Sequence, residues 1–287
     1  TSKLLAQGCV RTLHLKDIAD PAKQEEGYAL MRHLVHLETL LLCDDLPTEN
    51  PMQNWAGFGR VSHNLDMRYM LELPRQLRSL SVITHLKDPK ELYTNVGALG
   101  LILPSLETLV WEVHGSNLKQ LHQTFFSVWP EKLNSLTLHW KEDAQHEPLR
   151  RLPATLTHLQ TVFLNEKGLL TPQWYHTLLY HLPKLVSLSV AESSPGNDCV
   201  SLPAPPTPST DDAILSQIES LVVGVSTSRV FNFEKTELFL PPNLTSLNFV
   251  LEIEPILLTR LPQSLKTLKI ASIEEDGSTI DWTSVRN

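Results

Sequence analysis

Apolar residues recur along this chain in one local pattern, apolar-x-x-apolar-x-apolar. Copies begin at Val10/Leu13/Leu15 and Leu37/Leu40/Leu42, then Leu77/Leu80/Val82, Leu106/Leu109/Trp111 and Leu133/Leu136/Leu138. They continue at Leu159/Val162/Leu164, Leu185/Leu188/Val190, Ile218/Leu221/Val223, Leu244/Leu247/Phe249 and Leu265/Leu268/Ile270. The steps between these ten copies are 27, 40, 29, 27, 26, 26, 33, 26 and 21 residues. A period near 26 held over four consecutive steps marks a repeat architecture. For the sixth copy Leu156/Leu159 is an alternative start; Leu159 is preferred because it completes a triplet and keeps the period. The last two apolar positions of each triplet are two apart, the spacing of one face of a strand.

The segments between triplets predict helices. Leu92, Val96, Leu99 and Leu103 form one apolar stripe, Leu118, Leu121, Phe125 and Val128 a second, and Trp174, Leu178 and Leu182 a third. Seven triplets are preceded by an apolar residue and a proline: Leu73-Pro74, Leu103-Pro104, Trp129-Pro130, Leu152-Pro153, Leu182-Pro183, Leu240-Pro241 and Leu261-Pro262. Proline disfavours helix at the residue before it, so each pair ends a helix and releases the chain into a strand. One repeat cannot bury its own apolar face, so the repeats must stack. About thirty triplet positions, each contributing roughly 1.5–3 kcal/mol on burial before entropy is subtracted, make one cooperative body of the whole 287 residues.

The expected fold is therefore α/β: a solenoid, or horseshoe, of about ten repeats, with a parallel concave sheet and convex helices, in a single domain over 1–287. Two segments break the period. Residues 43–69 form a long irregular insertion carrying Asp44, Asp45, Pro47, Pro51, Gly57 and Gly59. Residues 192–212 are rich in Pro and Ser and predict a projecting or disordered loop.

The pattern Leu-Pro-x-x-Leu-x-x-Leu-x-Leu, seen over Leu73–Val82 and Leu261–Ile270, resembles the irregular leucine-rich repeats of F-box proteins. More widely it is similar to the ribonuclease-inhibitor-like horseshoes. The resemblance covers nearly the whole chain, although a regular Asn or Cys after the triplet is missing. It implies a protein-protein interaction scaffold, and in the F-box case the substrate-recognition part of a ubiquitin-ligase receptor. No F-box is found in this chain. The first strand near Val10 lacks a polar cap, which leads to the expectation of an upstream continuation that would hold the adaptor-binding module.

Side chains that alternate with the buried triplet positions face the concave side. The first such column reads Thr12, Thr39, Ser79, Thr108, Ser135, Thr161, Ser187, Ser220, Ser246 and Thr267. Small hydroxyl residues suit the crowded inside of a curved sheet, or form a polar track for a partner. The next two columns vary and supply the candidate partner-binding residues: His14, Leu41, Ile83, Val110, Glu112, His139, Phe163, Asn165, Val222, Asn248 and Lys269. Leu41, Ile83, Val110, Phe163 and Val222 are apolar, and exposed apolar groups point to a protein or peptide ligand.

Charge and chemistry narrow the picture. There are 24 basic and 32 acidic residues, a net charge of −8, which disfavours a broad nucleic-acid or anionic-membrane surface. Nothing approaches the roughly 18 apolar residues of a membrane span. Three cysteines, Cys9, Cys43 and Cys199, sit outside any zinc spacing and suit a reducing compartment, cytoplasm or nucleus. No phosphate loop, nucleophile elbow or H-E-x-x-H motif occurs, so no enzyme activity, cofactor or metal is expected. A structural subunit of a larger assembly is the alternative role; a solenoid enzyme or enzyme regulator is the third.

Overall fold

The computed structural model describes residues 10–16, 33–43, 70–71, 73–86, 97–115, 124–139, 152–163, 178–192, 217–225, 240–250, 261–273 and 279–283. These belong to two compact units, Thr1–Pro153 and Ala154–Asn287. Most of the 43–69 insertion and of the 192–212 loop lies outside the described residues, although Cys43 and Glu192 are the last residues of strands.

The first unit carries β1 (Thr12–Lys16), β2 (Thr39–Cys43), β3 (Ser79–Leu86), β4 (Thr108–Gly115) and β5 (Ser135–His139). Each pairs in parallel with the next in chain order. The second unit carries β6 (His158–Phe163), β7 (Ser187–Glu192), β8 (Ser220–Val225), β9 (Ser246–Val250) and β10 (Thr267–Ile273), again in successive parallel pairs. The result is an α/β, solenoid-like arrangement of parallel strands with few helices. In the second unit, β11 (Thr279–Thr283) turns back and pairs antiparallel with β10. Its Thr-Ile-Asp-Trp-Thr alternation, after an Asp276-Gly277 turn signal, makes it legible as a hairpin strand, although the triplet pattern misses it.

Register follows the apolar triplets. Leu13, Leu40, Leu80, Leu109 and Leu136 stand side by side in the first unit, and Leu159, Leu188, Leu221, Leu247 and Leu268 in the second. Interior members are sealed: Leu40, Leu80, Leu109, Leu188, Leu221 and Leu247 are all 0% exposed. At the β1 edge Leu13 and Leu15 are only half-buried.

The backbone repeats itself as regularly. The residue just before a strand offers its carbonyl to two N–H groups of the next repeat. Arg11 O accepts from Glu38 and Thr39 at 2.8 and 2.9 Å, Glu38 O from Arg78 and Ser79, and Arg78 O from Glu107 and Thr108. Glu107 O continues the series to Asn134 and Ser135. In the second unit Thr157 O, Val186 O, Glu219 O and Thr245 O do the same. Ahead of this step lies a tight turn closed onto the first apolar residue. Leu77 N donates to Pro74 O, Leu106 N to Leu103 O, and Leu185 N to Leu182 O. Proline fits either of the first two turn positions, because neither needs its missing N–H and its fixed φ suits the second. The Leu-Pro pairs thus build the turn into each strand.

Among the described residues helical backbone is sparse. One short helix, α1 (Leu99–Ile102), ends at Leu103-Pro104, where the Leu-Pro rule places its end. Residues 124–125 and 178–181 are also helical, and 70–71 form a 3₁₀ turn. Leu92, Val96, Leu118, Leu121 and Trp174 lie outside the described residues. The second stripe needs correction at Val128, which is 44% exposed while Phe126 is 1%. The helix stops after residue 125, so helical spacing no longer selects the buried side chain. Phe126 packs edge-on to Trp111 at 5.5 Å and stacks on Trp129 at 4.7 Å, with Phe125 4.9 Å from Trp111. This aromatic cluster fills the space under β4 that leucines fill elsewhere.

Two consequences are measurable by chemical denaturation. Leu109→Ala is expected to cost about 2–5 kcal/mol, and Leu13→Ala clearly less, because only the former leaves a sealed cavity. Gly100 N donates to Val128 O at 2.8 Å, and a β-carbon there would lie 2.6 Å from Trp129 O. Gly100→Ala should therefore destabilise by roughly 1–3 kcal/mol, despite alanine's better helix propensity.

Candidate functional site

The face opposite the buried leucines is set by the strand register. Its first column in the first unit is Thr12, Thr39, Ser79, Thr108 and Ser135. In the second unit it is His158, Ser187, Ser220, Ser246 and Thr267. Nine of the ten are Ser or Thr, and the break at His158 corrects the sequence reading of the sixth repeat. His158 aligns with Ser187 and Leu159 with Leu188, so the triplet starts at Leu156, which is 0% exposed. The preferred start at Leu159 was three residues out of step. An odd slip exchanges the two faces of a strand. Thr161 therefore shares the parity of Leu159 and pairs with Val190, and Phe163 pairs with Glu192 on that same parity. Phe163 is not an outward-column residue. Asn165 lies outside the described residues.

The second column reads His14, Leu41, Ser81, Val110 and Thr137 in the first unit. It reads Gln160, Ser189, Val222, Asn248 and Lys269 in the second. His14 and Lys269 are exposed; Leu41, Val110, Val222 and Asn248 are half-buried. Register separates Leu41 from Val110 by Ser81, and Val222 stands between Ser189 and Asn248. The apolar residues are single anchors in a polar field, not a continuous patch.

The third column needs a second correction. Cys43, Ile83 and Glu112 are adjacent in register, with His139 beside Glu112. Cys43 is 0% exposed, Ile83 8% and Glu112 9%. Outward parity does not make them surface: over β2, β3 and β4 this column is covered. Ile83 and Glu112 are therefore not available to a partner in this structure. Period-two alternation assigns a side chain to a face of the sheet and does not report whether that face is covered.

What remains is a hydroxyl row beside a mixed polar row, with neighbouring hydroxyls separated by the strand spacing of about 4.8 Å. Side chains around it are engaged in hydrogen bonds. Thr245 Oγ1 donates to Glu219 O at 3.1 Å, Gln217 Nε2 to Leu185 O at 2.9 Å, and Ser264 Oγ lies 2.8 Å from Pro242 O. Thr157 Oγ1 is 2.8 Å from His158 Nδ1. Among the described residues, no hydroxyl of the first column takes part in a side-chain hydrogen bond of this kind. The ladder of mutually bonded hydroxyls that would make the row purely structural is not formed.

Among the described residues no group of three or more His, Cys, Asp or Glu is arranged to hold a metal ion. Nor is any helix there long and apolar enough to cross a membrane. No protein-family model matches the chain, and no curated protein matches it significantly.

The column assignment is checked by stability. Ile83→Ser is expected to cost about 2–4 kcal/mol, since it removes buried apolar volume and buries a hydroxyl. Ser81→Ala, on the half-buried second column, should stay within about 0.5 kcal/mol of the parent. Equal costs for the two would show that the columns are misplaced.

Proposed function

We propose that this chain is a leucine-rich-repeat horseshoe that acts as a protein-binding scaffold, not as a catalyst. The observation that carries the reading is the outward hydroxyl row within each unit: aligned side chains on successive strands, none in a side-chain hydrogen bond among the described residues. Within either unit such a row can meet the backbone or polar side chains of a peptide, with His14, Leu41 and Val110 as anchors in the first and Val222, Asn248 and Lys269 in the second. The ligand is a protein or peptide. The Leu-Pro-x-x-Leu-x-x-Leu-x-Leu pattern, through its resemblance to F-box repeats, favours substrate recognition for a ubiquitin ligase, with the adaptor bound outside the repeats. A cytoplasmic or nuclear setting accompanies that role.

The test is affinity purification of the full-length protein from its native cells, quantified against a Ser81→Arg/Thr137→Arg variant. Both substitutions sit on the second column, where they fill the proposed track without entering the core. Partners held by this face should be lost by the variant while its melting temperature is unchanged. Under the ligase reading, a lost partner accumulates with ubiquitin chains when the proteasome is inhibited, and a ligase adaptor co-purifies with both forms. A partner that stays at fixed stoichiometry and is not turned over identifies a structural subunit instead. Identical partner sets for parent and variant would remove the outward face from consideration.

A further inference from the structure

A cleft of about 260 Å³ opens where the chain enters β1, β2 and β3, lined by Arg11, His36, Glu38, Gln76 and Arg78. Three of these residues, Arg11, Glu38 and Arg78, immediately precede their strands and supply the doubly accepting carbonyls. With Glu107 they form a row of alternating charge, one residue per strand, at steps of about 4.8 Å.

The charges in this row are unequally used. Arg11 Nη1 donates to Glu38 Oε1 at 2.9 Å, which closes that pair. Arg78 Nη1 lies 3.8 Å from Glu107 Oε1, too far for a hydrogen bond, and its side chain is 62% exposed. Among the described residues the Arg78 guanidinium makes no hydrogen bond, and neither does the exposed His36 ring. Gln76 Nε2 donates to Val35 O and so fixes one wall of the cleft. Arg11 and Arg78 are balanced in this row by Glu38 and Glu107, and Arg78 is the cation of the two that makes no hydrogen bond to its carboxylate.

We infer that this cleft is a subsite for an oxyanion carried on a protein partner, with Arg78 as its anchor. A planar guanidinium whose donors make no hydrogen bond among the described residues matches a carboxylate or phosphoryl group in the two-pronged geometry that lysine cannot reproduce. Arg11 has a different part: it holds Glu38 and keeps that carboxylate from competing for Arg78. The volume suits a single side-chain group and is below the roughly 300–1,000 Å³ of a typical small-molecule or cofactor site. The ligand is therefore an acidic or phosphorylated side chain. The inference depends on side chains of the first unit alone and stands apart from the outward face, so either can fail without the other.

The test follows the Arg78 Nε–Hε resonance of the intact, ¹⁵N-labelled protein during titration with sodium phosphate and, separately, with sodium glutarate. Ionic strength is held constant with sodium chloride. The expected result is a saturable shift with at least one oxyanion, with half-saturation on the order of 1 mM. Preference for phosphate points to a phosphorylated side chain, and preference for glutarate to Asp or Glu. Arg78→Ala should abolish every saturable shift at the remaining cleft resonances. Arg78→Lys and Arg11→Ala should each weaken binding several-fold, the first by losing the fork and the second by freeing Glu38. Arg78→Gln serves as the second charge-removing variant should the alanine form melt earlier than the parent. A shift that chloride reproduces, or that survives in the charge-removing variants, overturns the inference.

Discussion

Within each unit, every parallel strand is joined to the next through a carbonyl that accepts two N–H groups. Because the acceptor always lies one residue ahead of its strand, and the donors always include the first residue of the following strand, the step fixes register before any side chain is considered. The leucine columns then have no choice of partner. A buried backbone group left unpaired costs about as much as a lost hydrogen bond, so a shift of one residue would break the carbonyl step and turn the leucines outward together. Backbone and core enforce the same alignment. Within each unit, connections of very different length, including the one that contains residues 43–69, therefore still deliver a strand in step.

The physical basis of this agreement explains what was readable beforehand. A triplet with strand spacing and a period near 26 locates strands because both properties are local, and the hydroxyl column follows from alternation alone. The sixth repeat shows the weakness of period as a guide. Leu156 and Leu159 are buried as Leu185 and Leu188 are, but the place of a third apolar residue is taken by Thr161. The count of apolar residues favoured the wrong start, and the backbone step at Thr157 shows the right one. In register Thr161 and Phe163 consequently share the parity of Leu159, and His158 takes the place in line with Ser187.

Surface character was less legible than register. Ile83 and Glu112 have the parity of exposed residues yet are covered, whereas Val128 has helical spacing and is open to solvent. Each outcome depends on neighbours supplied by other segments. The same limit hid the charge row, whose members are 27 to 40 residues apart in sequence and become adjacent only when register is known. Arg11, Glu38, Arg78 and Glu107 look unrelated along the chain. Stacked, they alternate in sign, and the first three line one cleft.

The final strand has a different logic from the ten before it. A parallel strand presents to its neighbour the same pattern that it received, so each repeat is a template for a further one. β11 runs the other way along β10. Lys269 stands opposite Thr283 and Ile273 opposite Thr279, so the order of partners is reversed relative to every parallel pair in the unit. In the terms of polymer growth, the rule of propagation changes at this pair: β10 takes its register in parallel from β9 and passes it on in antiparallel to β11.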